Sequence, residues 1–243
     1  MEILQHFVSD DARCSYLPDQ TARLDHLLLL DIAPDVLERF LERGWRRFGA
    51  IHFRPVCVAC GECVPIRLPA VRFKPTRSQA RARKQSRLRL EIGAPQVTAD
   101  RIDLCNRWQE HQGARRSWDN QEMNDRRYFL EFALPHPAAR EFAYYDDDGD
   151  SPRLAAVGLV DLTPRSVSAV YTYYDPGYSG QSPGTRCILD QVEYARTHGK
   201  DWVYLGYRVL KCRSSEYKAR FRPHQLLQGR PGFEDEPHWI EEK

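Results

Sequence analysis

Three cysteines recur at a spacing of three, Cys57, Cys60 and Cys63, with Cys14 upstream. Four thiolates so grouped would suit a tetrahedral zinc ion or an iron-sulfur cluster. The spacing is not that of two separated Cys-x-x-Cys pairs, so free thiols and a nucleophilic cysteine stay open as readings. The chain has seven cysteines in all, and it opens Met-Glu-Ile-Leu-Gln-His with no basic or apolar leader. An odd count without an export signal predicts a cytoplasmic protein without a disulfide framework. A second chemistry-bearing stretch is residues 72–89, where Arg72, Lys74, Arg77, Arg81, Arg83, Lys84, Arg87 and Arg89 occur without an acidic residue. Net charge is only +2, so this density is local. It is a footprint for nucleic-acid phosphates, or else a solvated helix face. The aspartates at 146–150 lack the ligand spacing and terminal Glu of a calcium loop and read as an acidic hairpin turn.

The elements that must position these residues follow from apolar periodicity. At 243 residues and 42% apolar, the chain can bury a sizeable core without staples, and no stretch is apolar for long enough to span a bilayer. A helix is predicted from Pro34 to Arg43, with Val36, Leu37, Phe40 and Leu41 on one face and Gly44 as its stop. A strand over Phe48–Arg54 and helices near Thr98–Gln112 and Asn124–Leu134 come next. Then the pattern changes to a three-stranded antiparallel meander: Glu141–Asp146, Arg153–Leu162 and Ser166–Tyr174, the first pair joined through Asp148-Gly149. A polar loop over Asp175–Gly184 leads to a helix over Thr185–Thr197 and a strand over Trp202–Leu205. This order resembles that of N-acetyltransferase-like acyltransferases, in which a glycine loop and a helix N-terminus face the phosphates of an acyl donor. Gln181 and Gly184 fit the loop pattern of those enzymes, and Arg186 does not. The expected fold is α+β, a mixed and mainly antiparallel sheet flanked by helices. A small cysteine-bearing unit would occupy residues 1–70, with the acyltransferase-like domain, including the basic segment, over 71–243.

Longer runs carry a wider resemblance. They are Cys14-Ser15-Tyr16-Leu17-Pro18, Arg47-Phe48-Gly49, His52-Phe53-Arg54-Pro55, Cys57 to Arg67, and Phe73-Lys74-Pro75-Thr76-Arg77-Ser78-Gln79. In the C-terminal half come Tyr173-Tyr174-Asp175-Pro176, Gly184-Thr185, Tyr204-Leu205-Gly206-Tyr207 and Tyr217-Lys218-Ala219-Arg220-Phe221-Arg222-Pro223. In this order and at these separations the chain resembles the aminoacyl-tRNA-protein transferases, most closely their bacterial branch of aspartate/glutamate leucyltransferases. It departs from the pattern at Ala80, at Pro183, which removes a backbone donor in the loop, and at Arg208.

The resemblance implies transfer of leucine from Leu-tRNA to the N-terminal α-amine of proteins beginning with Asp or Glu, marking them for degradation. Arginine is the donor in related enzymes and would need a buried carboxylate in place of an apolar pocket. The ester is already activated and an α-amine has a reference pKa of about 7.7–8.0, so no cofactor is required, and positioning, proton removal and oxyanion stabilisation are the main tasks. Tyr174, Asp175 and Tyr207, at strand ends beside the loop, are the catalytic candidates, although buried tyrosines often serve only as core residues. Gln181, Ser182, Gly184 and Thr185 form the donor loop. By resemblance Arg220, Lys218 and Tyr217 would hold the acceptor's acidic residue, the guanidinium being suited to a bidentate pair. Arg77, Arg81, Arg83, Lys84 and Arg87 would contact tRNA phosphates. Cys14, Cys57, Cys60 and Cys63 are the metal candidates, for zinc or an iron-sulfur cluster. A coenzyme A-dependent N-acetyltransferase and a non-enzymatic RNA-binding protein are the rival readings.

Overall fold

The computed structural model describes residues 2–116 and 122–242. Its first elements are β1 (Glu2–Val8), β2 (Ala12–Arg13), β3 (Thr21–Ala22), β4 (Leu24–Leu30), α1 (Pro34–Glu42), β5 (Arg46–Phe48), β6 (Ile51–Pro55) and β7 (Val64–Pro69). After them come α2 (Arg77–Gln85), β8 (Arg89–Gly93), α3 (Ala99–Arg116) and α4 (Asp125–Tyr128), which runs into a π turn over Phe129–Ala133. The rest comprises β9 (Ala139–Asp146), β10 (Arg153–Leu162), β11 (Ser166–Tyr174), a 3₁₀ turn (Pro176–Gln181), α5 (Pro183–Thr197), β12 (Trp202–Arg208), α6 (Arg213–Glu216), a second 3₁₀ turn (Tyr217–Arg220), β13 (His224–Leu227) and β14 (Trp239–Glu242). Among the described residues no helix is long and apolar enough to cross a membrane.

The chain divides into two compact units that interleave along the sequence. The first comprises Met1–Lys74, Leu162–Ser168 and Val192–Lys243. It holds an antiparallel sheet in the order β1-β4-β6-β5. Strand β4 alternates as a half-buried strand should, with Asp25, Leu27 and Leu29 inward. Helix α1 forms where its apolar stripe predicts: Pro34 sits in its first turn, Leu37, Phe40 and Leu41 are buried, and Gly44 follows at φ +79°. A Cβ at Gly44 would stand 2.8 Å from Pro65 Cγ, so space as well as φ requires glycine there. Buried Glu38 on α1 accepts from Ser166 Oγ at 2.9 Å and from the Arg165 amide at 2.9 Å, capping the β10–β11 turn. The expected strand over Phe48–Arg54 is instead a tight hairpin, because Gly49 at φ +53° turns the chain between β5 and β6.

The same unit carries a second set of strands. β7 pairs antiparallel with both β12 and β13, β13 pairs with β14, and the first residues of β11 run parallel to β12. Thus β7, which ends beside the expected boundary at residue 70, bonds to strands from the C-terminal end. The strand expected over Trp202–Leu205 extends to Arg208 across a bulge at Leu205, and Gly206 at φ +82° follows it. Arg67 lies between the rings of Trp202, 3.8 Å from its guanidinium, and Trp239, at 4.2 Å.

The second unit comprises Pro75–Asp161 and Ala169–Gln191. Here β8, β9 and β10 form an antiparallel ladder with the rest of β11 beside β10, which is the expected meander. The aspartate run is used as a turn, with Asp146 accepting from the Tyr178 hydroxyl and the Asp148 amide, and Asp147 pairing with Arg89. Helix α5 approaches β10 at Gly158, where an added Cβ would overlap Cys187 Sγ at 2.2 Å. Antiparallel pairings predominate in both units, with a parallel step at β11–β12, so the fold is α+β with a mixed, mainly antiparallel sheet flanked by helices. The order of meander, loop, helix and strand is the one the sequence predicts.

Candidate active site

In the second unit β11 delivers Tyr174 and Asp175 to the start of the loop expected to face the donor. Tyr174 packs its ring 4.2 Å from that of Trp108 on α3. Asp175 caps the 3₁₀ turn by accepting from the Gly177 amide at 2.9 Å, and its carboxylate lies 3.5 Å from Arg107. The loop expected over Asp175–Gly184 is therefore ordered by a 3₁₀ turn and ends at Ser182, whose φ is +54°. Pro183 is the first residue of α5. A helix leaves that amide unpaired anyway, so its absence does not disturb the loop. Gln181, Ser182, Gly184 and Thr185 thus form one continuous stretch entering a fifteen-residue helix, and the Gln181 Oε1 is buried with no hydrogen-bond partner.

Tyr207 belongs to the first unit. Its hydroxyl donates to the Gly44 carbonyl at 2.8 Å, and burial pushes the phenol far above its ordinary value. Its own carbonyl accepts from Ser215 Oγ at 2.6 Å and from Lys218 Nζ at 3.0 Å. The hydroxyl is thereby engaged by the main chain, and the carbonyl of the same residue holds Lys218. Of the three acceptor candidates, Tyr217 and Arg220 are exposed and Lys218 is half-buried. Burial first, and then the like charge of Arg46, pull the Lys218 amine down to about 7, so it exchanges a proton near neutrality. Of the two cations expected to meet the acceptor's acidic residue, Lys218 is the more buried.

The cysteine segment lies in the first unit as well. Burial and then Cys14, Cys57 and Cys60 push the Cys63 thiol up to about 12, so these sulfurs are near enough to feel one another. Cys14 Sγ accepts from the Leu17 amide and Cys57 Sγ from the Arg23 amide, each at 3.4 Å. Among the described residues no group of three or more His, Cys, Asp or Glu side chains stands in metal-holding geometry.

The basic segment folds as α2 because Thr76 and Gln79 form a reciprocal capping box. Arg83 bonds Asp190 at 3.0 Å, alongside Arg186, and Arg72 and Arg89 pair with Glu241 and Asp147. Among the described residues Arg77, Arg81, Lys84 and Arg87 are exposed with no ion-pair partner. Charge reversal at Arg77, Arg81 and Lys84 is accordingly expected to raise the KM for charged tRNA more than it lowers kcat, and to flatten the salt dependence of tRNA binding. An unchanged donor KM in steady-state transfer would remove α2 from the RNA surface.

Sequence reasoning passed over a cavity of about 380 Å³ in the first unit, lined among others by Arg43, Arg54, Arg230 and Tyr207. Arg54 lies in one of the quoted runs, but Arg43 reads only as a helix end, and nothing in the sequence joins Arg230 to them.

Two family models together match most of the chain. The family model described as arginine-tRNA-protein transferase, C terminus, matches residues 100–228, and that of the N terminus matches residues 12–81. An aspartate/glutamate leucyltransferase of Pseudomonas fluorescens is 36% identical, over 92% of this chain and 94% of its own. One of Stenotrophomonas maltophilia is 33% identical, over 96% and 94%. One of Campylobacter jejuni is 28% identical, over 96% and 97%. Among solved structures FemX aligns with a TM-score of 0.47 at 10% identity, over 76% of this chain and 63% of its own.

Proposed function

We propose that this chain, which belongs to the arginine-tRNA-protein transferase family, moves leucine from Leu-tRNA to the α-amine of proteins that begin with Asp or Glu, giving them a destabilising N-terminus. It is an aminoacyltransferase. The observation that carries the choice of leucine and of acidic acceptors is that the relatives spanning more than nine-tenths of the chain are aspartate/glutamate leucyltransferases. In the reaction the acceptor's neutral α-amine attacks the ester carbonyl, the new amide bond forms, and the bond to the ribose oxygen breaks. The ammonium proton leaves the amine and the ribose hydroxyl gains one, so neither ATP nor a covalent enzyme intermediate is needed. The half-buried Lys218 amine, poised near neutrality, is suited to proton exchange, and exposed α2 cations suit tRNA phosphates. Family membership sets aside the coenzyme A and RNA-binding readings.

The test supplies tRNA charged with labelled leucine and peptides that differ only at residue one. Label should reach peptides beginning with Asp or Glu and not those beginning with Asn, Gln or Lys. Transfer of arginine in place of leucine would overturn the donor alone. Label reaching no peptide from any charged tRNA would overturn the reading.

A further inference from the structure

The cavity of the first unit has an unusual charge arrangement. Arg43 is held by main-chain carbonyls: Nε donates to Gly232 at 3.0 Å and Nη2 to Asp235 at 2.9 Å. Arg54 Nη1 donates to the Pro231 carbonyl at 2.9 Å, and its guanidinium lies 4.7 Å from the Trp45 ring centroid. Arg230 reaches across to the carbonyls of Cys57 at 3.3 Å and Cys60 at 3.0 Å. Carbonyl dipoles fix three guanidiniums in place and do not neutralise them. The carboxylates in ion-pair range of them, among the described residues, are Asp25, 3.4 Å from Arg54 Nε and shared with His6 at 2.7 Å, and Glu42, 3.9 Å from Arg43. Neither lines the cavity, and among its described lining residues none is acidic. Val64, Pro65 and Leu227 supply an apolar wall. The volume of about 380 Å³ falls within the range of small-ligand pockets, roughly 300–1,000 Å³.

We propose that this cavity, framed by Arg43, Arg54 and Arg230, seats the side-chain carboxylate of the acceptor's first residue, a reading that rests on the transferase function above. A carboxylate suits preset guanidinium forks, and the apolar wall covers the methylenes of Asp or Glu. A neutral Asn or Gln brings no counter-charge into the cavity, where Arg54 and Arg43 keep Asp25 and Glu42 behind the lining and Arg230 is held by backbone carbonyls. RNA phosphate is the weaker occupant, because it has no use for the apolar wall and the exposed cations of α2 already serve it. The cavity also gives the cysteine segment a role that needs no chemistry at sulfur: through Arg230 it sets the position of the rim.

The test compares wild type with Arg54→Met and Arg230→Gln, using Leu-tRNA and peptides beginning with Asp or Asn. Each substitution is expected to raise the KM for the Asp peptide about tenfold or more and to shrink the preference for Asp over Asn, with the KM for Leu-tRNA unchanged. Arg54→Lys, which keeps the charge and loses the fork, should recover only part of the loss. Arg54 also packs on Trp45, so thermal melts accompany it, whereas Arg230 is at the exposed rim and its variant reads the cavity without disturbing the core. If wild type transfers leucine and both variants keep their acceptor KM and preference, the cavity assignment falls and the function stands. A rise in the Leu-tRNA KM instead would give the cavity to RNA and overturn the proposal. Calorimetric titration of the two peptides without tRNA reads the site apart from transfer: wild type should favour the Asp peptide and Arg230→Gln should lose that preference, and equal binding of both peptides to wild type would overturn the assignment.

Discussion

Glu141→Ala is expected to destabilise the second unit by about 3–5 kcal/mol, read as a lowered midpoint in urea or thermal unfolding. Glu141 on β9 and Arg101 in the first turn of α3 are both about 95% shielded from solvent at their side chains. Arg101 Nε donates to both carboxylate oxygens at 3.1 Å, its Nη2 adds another bond, and its Nη1 reaches Thr98 Oγ1 at 3.0 Å. Removing the carboxylate leaves a buried guanidinium whose remaining ion-pair partner among the described residues is the half-exposed Asp100, 3.7 Å from Nη1. The pair itself adds little net stability, because both ions give up their hydration, so replacing both with Met or Leu should cost far less than the single change. A single change within about 1 kcal/mol of wild type would mean that the two charges are effectively solvated. The pair bears on the site because α3 also carries Trp108, which packs on Tyr174, and Arg107, which faces Asp175. Transfer activity should therefore fall in Glu141→Ala below its melting temperature, through a loosened α3.

The stretch from β9 to β12 was readable from sequence because its strands and helix announce themselves locally, whereas α6, β13 and β14 beyond it carry no such signal. β10 and β11 were bounded to the residue, since their β-branched and aromatic runs end in turn residues at Thr163–Arg165 and Pro176. α1 was legible through its apolar stripe and Gly44. The first unit was harder for a physical reason: β1 has both faces exposed, so it lacks the alternation that marks a strand, and β7 is a short segment whose partners lie far along the chain. The same holds for the site. Tyr174 to Thr185 are contiguous, and sequence found them together. Arg43, Arg54 and Arg230 meet only through carbonyls of residues 57–60 and 231–235, and no spacing rule joins such positions. Burial also reorders neighbours that sequence treats alike: Lys218 and Arg220 are two residues apart in one motif, yet only the lysine is withdrawn from solvent.

That withdrawal makes Lys218→Met a test of whether stability was given up for function. The amine's affinity for its proton falls from the ordinary value of 10.5 to about 7 on folding. Between those limits the unfolded chain holds a proton that the folded chain has released, so this group makes stability rise with pH from about 7 to 10.5. Below 7 both states are protonated and the full penalty of burying the cation beside Arg46 remains. Methionine removes the penalty while keeping the unbranched stem, and the Tyr207 carbonyl retains Ser215 Oγ at 2.6 Å. Lys218→Met is therefore expected to be more stable than wild type at pH 6–7 by about 2 kcal/mol or more, since each tenfold change in proton affinity is worth about 1.4 kcal/mol. The gain should vanish by about pH 10, and urea midpoints at pH 6.5 and 9.5 for both proteins measure it. Leucyl transfer should fall at least about tenfold in the same variant, whose fold is the firmer of the two, because the chain has no other reason to keep a strained cation there. A variant that is less stable at pH 6.5, with the pH slope of wild type, would show that the lysine is a structural cation and would remove it from the site.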